Sequence, residues 1–129
     1  RTAFKGLFKW NEDAGYVDDR SDDKGAEPEA ITVGEIDGKS YAFVGLERQG
    51  GILMYDITGI IKPKFVGYFN GRNFFGDGTK MTGGDISPES LVFISADKTP
   101  PAYRALNNSP LMIGAYELSG STAVYQINN

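Results

Sequence analysis

Gly45-Leu46-Glu47-Arg48-Gln49-Gly50-Gly51-Ile52-Leu53-Met54-Tyr55-Asp56-Ile57 and Ala115-Tyr116-Glu117-Leu118-Ser119-Gly120-Ser121-Thr122-Ala123-Val124-Tyr125-Gln126-Ile127 are two versions of one phrase. Each sets a glutamate three residues before a turn glycine and closes on Tyr-x-Ile. The echo continues upstream, where Pro28-Glu29-Ala30-Ile31 opens the first version and Pro88-Glu89-Ser90-Leu91 the second. Self-similarity at such a period marks a supersecondary unit that packs on copies of itself. Pro28 and Pro88 stand 60 residues apart, whereas Glu47 and Glu117, Gly50 and Gly120, and Tyr55 and Tyr125 stand 70 apart. Ten extra residues therefore enter the second copy between its first two strands. Lys98-Thr99-Pro100-Pro101-Ala102-Tyr103-Arg104-Ala105-Leu106-Asn107-Asn108-Ser109-Pro110 reads as the long loop that holds them, since loops absorb insertions at small entropic cost.

Each copy reads as β-structure. Over 30–36, Ile31 and Val33 alternate with Thr32 and Gly34, and the turn Asp37-Gly38 follows, a strong hairpin signal between β-prone runs. The return strand, 40–46, is apolar on both faces (Tyr41 and Phe43 against Ala42, Val44 and Leu46), the pattern of a central strand between layers. After Gln49-Gly50-Gly51, residues 52–57 form a third strand and, past Pro63, 64–69 a fourth. The second copy repeats the order with 91–95, 111–117 and 121–127, without a fourth strand. The fold class is all-β, built of antiparallel meanders. The chain divides into an N-terminal segment with an acidic loop (1–27), a first unit (28–69), a glycine-rich connector (70–87) in which Phe74 and Phe75 are expected as anchors, and a second unit (88–127). In the first segment Phe4, Leu7 and Phe8 fall at helical spacing, with a strand as the alternative.

Composition narrows the function. The 129 residues suit one domain with a modest core, and 17 glycines with 6 prolines between short apolar runs favour strands and turns over helices. The net charge of -4 builds no basic stripe, which argues against nucleic acid as a partner. No stretch is long and apolar enough to insert in a membrane. Cysteine is absent, which removes disulfides and thiolate metal sites. Histidine is absent too, and with it the commonest general base and metal ligand. The chain starts on Arg1 without an initiator Met or an apolar leader core, as expected of a processed product or of a piece of a longer protein.

The run Asp18-Asp19-Arg20-Ser21-Asp22-Asp23-Lys24-Gly25-Ala26-Glu27-Pro28-Glu29, followed by Val33-Gly34-Glu35-Ile36-Asp37-Gly38-Lys39-Ser40-Tyr41-Ala42-Phe43-Val44-Gly45-Leu46-Glu47-Arg48 and Gly51-Ile52-Leu53-Met54-Tyr55-Asp56-Ile57, closely resembles the choice-of-anchor I family. The resemblance runs over roughly residues 17 to 127 and is most specific in the first half. At the second copy the family carries Pro-Glu-Gly-Leu and Asn-Glu-Val-Ser-Gly-Thr, where this chain has Pro88-Glu89-Ser90-Leu91 and Tyr116-Glu117-Leu118-Ser119-Gly120-Ser121. The resemblance implies a bacterial secreted or cell-surface protein with a β-propeller-like domain, of which this chain spans about two blades. It also brings the label alkaline phosphatase-like.

Chemistry is concentrated in carboxylates. Asp18, Asp19, Asp22, Asp23, Glu27 and Glu29 supply hard oxygen donors of the kind Ca²⁺ prefers, on a loop with Gly25, although the spacing is not that of an EF-hand. The plainer reading is a solvated loop in which Arg20 and Lys24 pair locally at little gain. Glu29 and Glu89 hold equivalent places before the first strand of each copy; they read as a facing pair fit for acid and base work or, more simply, as turn caps. Glu47 and Glu117 form a second repeated pair for which a structural role is preferred. Tyr55 and Tyr125 are expected between sheets, with a sugar-stacking platform as the weaker alternative. Thr82 and Asp85 beside Gly83-Gly84 suggest either an anion nest or turn geometry.

The expectation is a non-catalytic interaction or scaffold module meeting protein or carbohydrate at the cell surface, and self-associating through exposed sheet edges. The alternatives are part of a metal-dependent phosphoesterase or a structural Ca²⁺-binding module.

Overall fold

The computed structural model describes residues 22–59, 61–106 and 109–128. Among the described residues seven strands form two antiparallel sheets: β1 (Pro28–Ile36), β2 (Lys39–Leu46), β3 (Ile52–Asp56) and β4 (Lys64–Phe69) in order in the first, and β5 (Pro88–Ile94), β6 (Leu111–Tyr116) and β7 (Ser121–Gln126) in the second. The chain is all-β, as its periodicity requires, and the two meanders are consistent with a fragment of a β-propeller-like domain. The helical spacing of Phe4, Leu7 and Phe8 falls outside the described residues. No helix among the described residues is long and apolar enough to cross a membrane.

Local chemistry sets the strand ends. Asp37 and Gly38 both take positive φ (51° and 75°), the geometry of the two-residue turn whose twist matches its flanking strands. At the β2–β3 turn Gly51 has φ 84°, and a Cβ there would meet the Phe69 carbonyl oxygen at 2.5 Å, so only glycine fits. The segment inserted in the second copy lies between Ile94 and Leu111 and contains short 3-10 turns at Ala96–Lys98 and Pro101–Leu106. Buried Thr99 ties it down by donating to the Ser109 carbonyl at 3.0 Å.

The two meanders agree in register as well as in order. Pro28 faces Leu46, Ile31 faces Val44 and Val33 faces Ala42; Pro88 faces Tyr116, Leu91 faces Gly114 and Phe93 faces Met112. Both ladders slip at the same point, between Pro28 and Ala30 and between Pro88 and Ser90, leaving Glu29 and Glu89 as the extra residues of two matching β-bulges.

The core lies between the sheets, where Ala30, Ile36, Phe43 and Ile52 of the first meet Leu91 and Met112 of the second. The contact is tightest where β1 and β2 cross β5. Phe43 stacks on Phe93 with ring centroids 5.7 Å apart, and a Cβ on Gly34 would collide with the Phe93 ring. Towards β4 and β7 the sheets diverge around a cleft of about 490 Å³ lined by Met54, Phe69, Met112 and Tyr125.

The packing runs face to back. Leu91, Phe93, Met112 and Tyr125 form the face of the second sheet that meets the first. Their repeat equivalents, Ile31, Val33, Ala42 and Tyr55, lie on the opposite, outer face of the first sheet. The consequence for exposure is large: Leu91 is 7% exposed, Ile31 67% and Val33 56%. Tyr125 accordingly packs between the sheets on Phe69, with centroids 4.7 Å apart, while Tyr55 meets Phe65 edge-on on the outer face.

The connector is pinned at two places. The buried Arg72 guanidinium donates to the Arg48 carbonyl at 2.8 Å and lies 5.1 Å over the Phe74 ring. Asp85 accepts from Ser121 Oγ and Tyr125 Oη, each at 2.7 Å. Phe74 is partly buried beneath Arg72, whereas Phe75, expected as a second anchor, is fully exposed.

Candidate functional site: a carboxylate cluster shared by the two sheets

The bulges and the turn glutamates converge. One carboxylate oxygen each from Glu27, Glu29 and Glu47 lies within 4.8 Å of the others, and the same holds for Glu47, Glu89 and Glu117. Glu47 belongs to both groups and joins the carboxylates of the first sheet to those of the second.

Each side chain has a backbone reason to be there. Glu29 and Glu89 are the bulged residues, and a bulge re-aims a side chain that a regular strand would send elsewhere. Glu47 and Glu117 follow β2 and β6, and their N–H groups donate to the carbonyls of Glu27 and Ser87, each at 2.8 Å. Glu27 and Ser87 are themselves repeat equivalents, 60 residues apart, and both hold positive φ, 48° and 63°. Each therefore turns the chain into the first strand in the same way.

The electrostatics follow from crowding like charges. Partial burial, a hydrogen bond to Glu27, and the negative charges of Glu29, Glu27 and Glu89 raise the Glu47 pKa from its ordinary 4.5 to about 7. Protonated Glu47 donates to Glu27. Glu89 is raised as well, by desolvation and then by Glu117 and Glu29. Two cations meet Glu27: Arg48 Nε bonds its Oε2 at 2.6 Å and Lys24 Nζ bonds its Oε1 at 2.8 Å. Both oxygens of Glu27 are engaged, and its role is to hold Arg48 and the preceding turn in place. The Arg72 bond to the Arg48 carbonyl braces that turn from the other side.

Of the residues singled out by sequence, Asp18 and Asp19 lie outside the described residues. Asp22 and Asp23 sit exposed in the turn at 22–26, and Glu27 and Glu29 join the cluster. Of the loop's described carboxylates, Glu27 and Glu29 belong to the crowded group and Asp22 and Asp23 do not. Glu29 and Glu89 fall in different groups, linked through Glu47. Sequence reasoning missed that Glu47 and Glu117 enter the same group and that Ser87 replaces Glu27 in the second copy. The repeat carried that signal, since residues matched at both Pro-Glu and the turn glutamate must occupy matched places. Asp85 is committed to Ser121 and Tyr125 and serves to pin the connector.

No curated protein and no solved structure matches the chain. The family model described as the choice-of-anchor I domain matches residues 1–60, a stretch that contains β1 to β3 together with Glu27, Glu29 and Glu47. Over residues 1–60 the chain is therefore similar to the choice-of-anchor I domain, a family whose name suggests association with the cell surface.

Proposed function

We propose that the chain is a non-catalytic interaction and scaffold module, a segment of a surface-associated β-propeller-like domain whose sheets stack face to back. The observation that carries this reading is the repeat equivalence of a packed face and an open one. Leu91, Phe93, Met112 and Tyr125 are covered by the first sheet, while among their equivalents on the outer face Ile31 and Val33 are exposed, Tyr55 is half-buried and the small Ala42 is buried. A face with that pattern accepts another sheet of the same kind, as the second sheet accepts the first. Such heterologous contacts continue until a ring closes or a further copy is added.

The partner surface is specific. Phe93 packs on Gly34 and Phe43. Shifting that contact by one repeat places Val33, equivalent to Phe93, against Ile94 and Ile113, equivalent to Gly34 and Phe43, of the next meander. In the purified chain the next meander is a second molecule. Light scattering after size exclusion should show association that rises with concentration and is weakened by Val33→Lys; a clean monomer at high concentration contradicts the reading. Hydrolysis of a phosphate ester by the purified chain with Ca²⁺, Mg²⁺, Mn²⁺ or Zn²⁺, lost in Glu29→Ala, would overturn its non-catalytic character.

A further inference from the structure

Ser87 and the glutamates around it pose one problem together. The Ser87 side chain is among the most buried in the protein, with the residue 1% exposed, and its hydroxyl has no hydrogen-bond partner among the described residues. A buried hydroxyl in that state is costly, and such orphans call for an explanation. Its direction follows from the repeat. Ser87 precedes β5 with left-handed backbone, as Glu27 precedes β1, and its carbonyl accepts the Glu117 N–H as the Glu27 carbonyl accepts that of Glu47. In the first repeat the same geometry brings the Glu27 side chain onto Glu47. By that equivalence the Ser87 side chain leaves the backbone on the side of Glu117, whose carboxylate is grouped with those of Glu47 and Glu89.

We propose that Glu47, Glu89 and Glu117, completed by Glu29 and Ser87 Oγ, form a Ca²⁺ site that ties the two meanders together. The ligand set decides the ion. Every donor is a hard oxygen, and the chain has no cysteine or histidine to favour a softer metal. Ca²⁺–oxygen distances of about 2.3–2.6 Å put ligands on opposite sides of one ion about 4.6–5.2 Å apart, which accommodates oxygens grouped within 4.8 Å. Around Mg²⁺ the corresponding span is only about 4.2 Å, in a rigid octahedron that long, flexible glutamates suit poorly. Bound Ca²⁺ would neutralise the repulsion that lifts Glu47 and Glu89 and give the Ser87 hydroxyl its missing partner. Glu27, already held by Arg48 and Lys24, positions Glu47 without contributing a ligand. This site extends the module reading but does not depend on self-association.

The test is calorimetric titration of the chelator-stripped chain with CaCl₂, alongside Glu47→Gln, Glu117→Gln, Ser87→Ala and the double variant Asp22→Asn with Asp23→Asn. The site predicts one saturable Ca²⁺ per chain. Loss of one charged ligand in Glu47→Gln or Glu117→Gln should weaken binding about tenfold or more, because ligand charge sets affinity in such sites. Ser87→Ala should weaken it several-fold while melting no lower than wild type in chelator, and the Asp22/Asp23 variant should bind as wild type. If a glutamine variant fails to fold by circular dichroism, Ser87→Ala decides. No saturable binding at millimolar Ca²⁺, binding unchanged by Ser87→Ala and by the glutamine variants that fold, or binding abolished by the Asp22/Asp23 variant would overturn the proposal.

Discussion

Ser87 stands in the second meander where Glu27 stands in the first. Both residues hold left-handed backbone, at φ 63° and 48°, and both carbonyls accept the N–H of the next turn glutamate at 2.8 Å. One conformation, used twice, sends two pairs of glutamates to a single place between the sheets. The repeat is therefore the origin of the site as well as of the fold.

The closest approach of the two sheets leaves no room for a side chain at position 34. Gly34→Ala drives a methyl into the Phe93 ring and should destabilise the chain by about 1–3 kcal/mol, the usual cost of overfilling a packed interior. Urea unfolding measures it, and combining the change with Phe93→Leu should recover part of the loss. Equal stability of Gly34→Ala and wild type would mean that the sheets do not meet there.

Arg72 holds the β2–β3 turn from the connector. Arg72→Met keeps much of the aliphatic bulk but leaves the Arg48 carbonyl without this donor, for an expected loss of about 1–3 kcal/mol. The same variant should loosen the turn, read as faster amide exchange at Gly50 and Gly51 than at strand β6. Unaltered exchange at those glycines would show that the guanidinium does not brace the turn.

Tyr125 and Tyr116 share a hydrogen bond of 2.8 Å, and Tyr125 donates to Asp85. Burial raises both phenols above their ordinary 10.0, with Tyr116 and Asp85 adding to the rise at Tyr125. The proton is held more tightly in the folded chain than in the unfolded one, so this stabilisation is complete below pH 10 and is lost as pH climbs through the folded pKa. Melting temperature should fall with alkalinity above pH 10, and Tyr125→Phe should flatten that fall. An identical alkaline slope in Tyr125→Phe would count against the network. Asp85→Asn at neutral pH should cost about 2 kcal/mol by weakening two charge-assisted bonds.

Much of this architecture is legible in the residues because its causes are local. Asp37-Gly38 announces a turn that demands positive φ at both positions, and the 70-residue spacing from Glu47 to Glu117 fixes the register of β2 and β3 on β6 and β7. What lies between sheets is harder to read. Glu47 meets Glu89 through a face-to-back stacking that no single strand pattern encodes, and the resulting charge crowding exists only after the sheets pack. Ser87 gives no sign of its position until it is aligned with Glu27. Phe74 and Phe75 look alike in the sequence, yet one lies beneath an arginine and the other in solvent.

In the proposed stacking, the outer face of the first sheet receives the outer face of another second sheet. The chain contains no cysteine, so single cysteines report this contact without background. Val33→Cys and Ile113→Cys chains should be mixed at equal concentration and oxidised gently, and the crosslinked species resolved by mass. Face-to-back stacking predicts mixed dimers well in excess of either homodimer. Mixed dimers no more abundant than random pairing would contradict it.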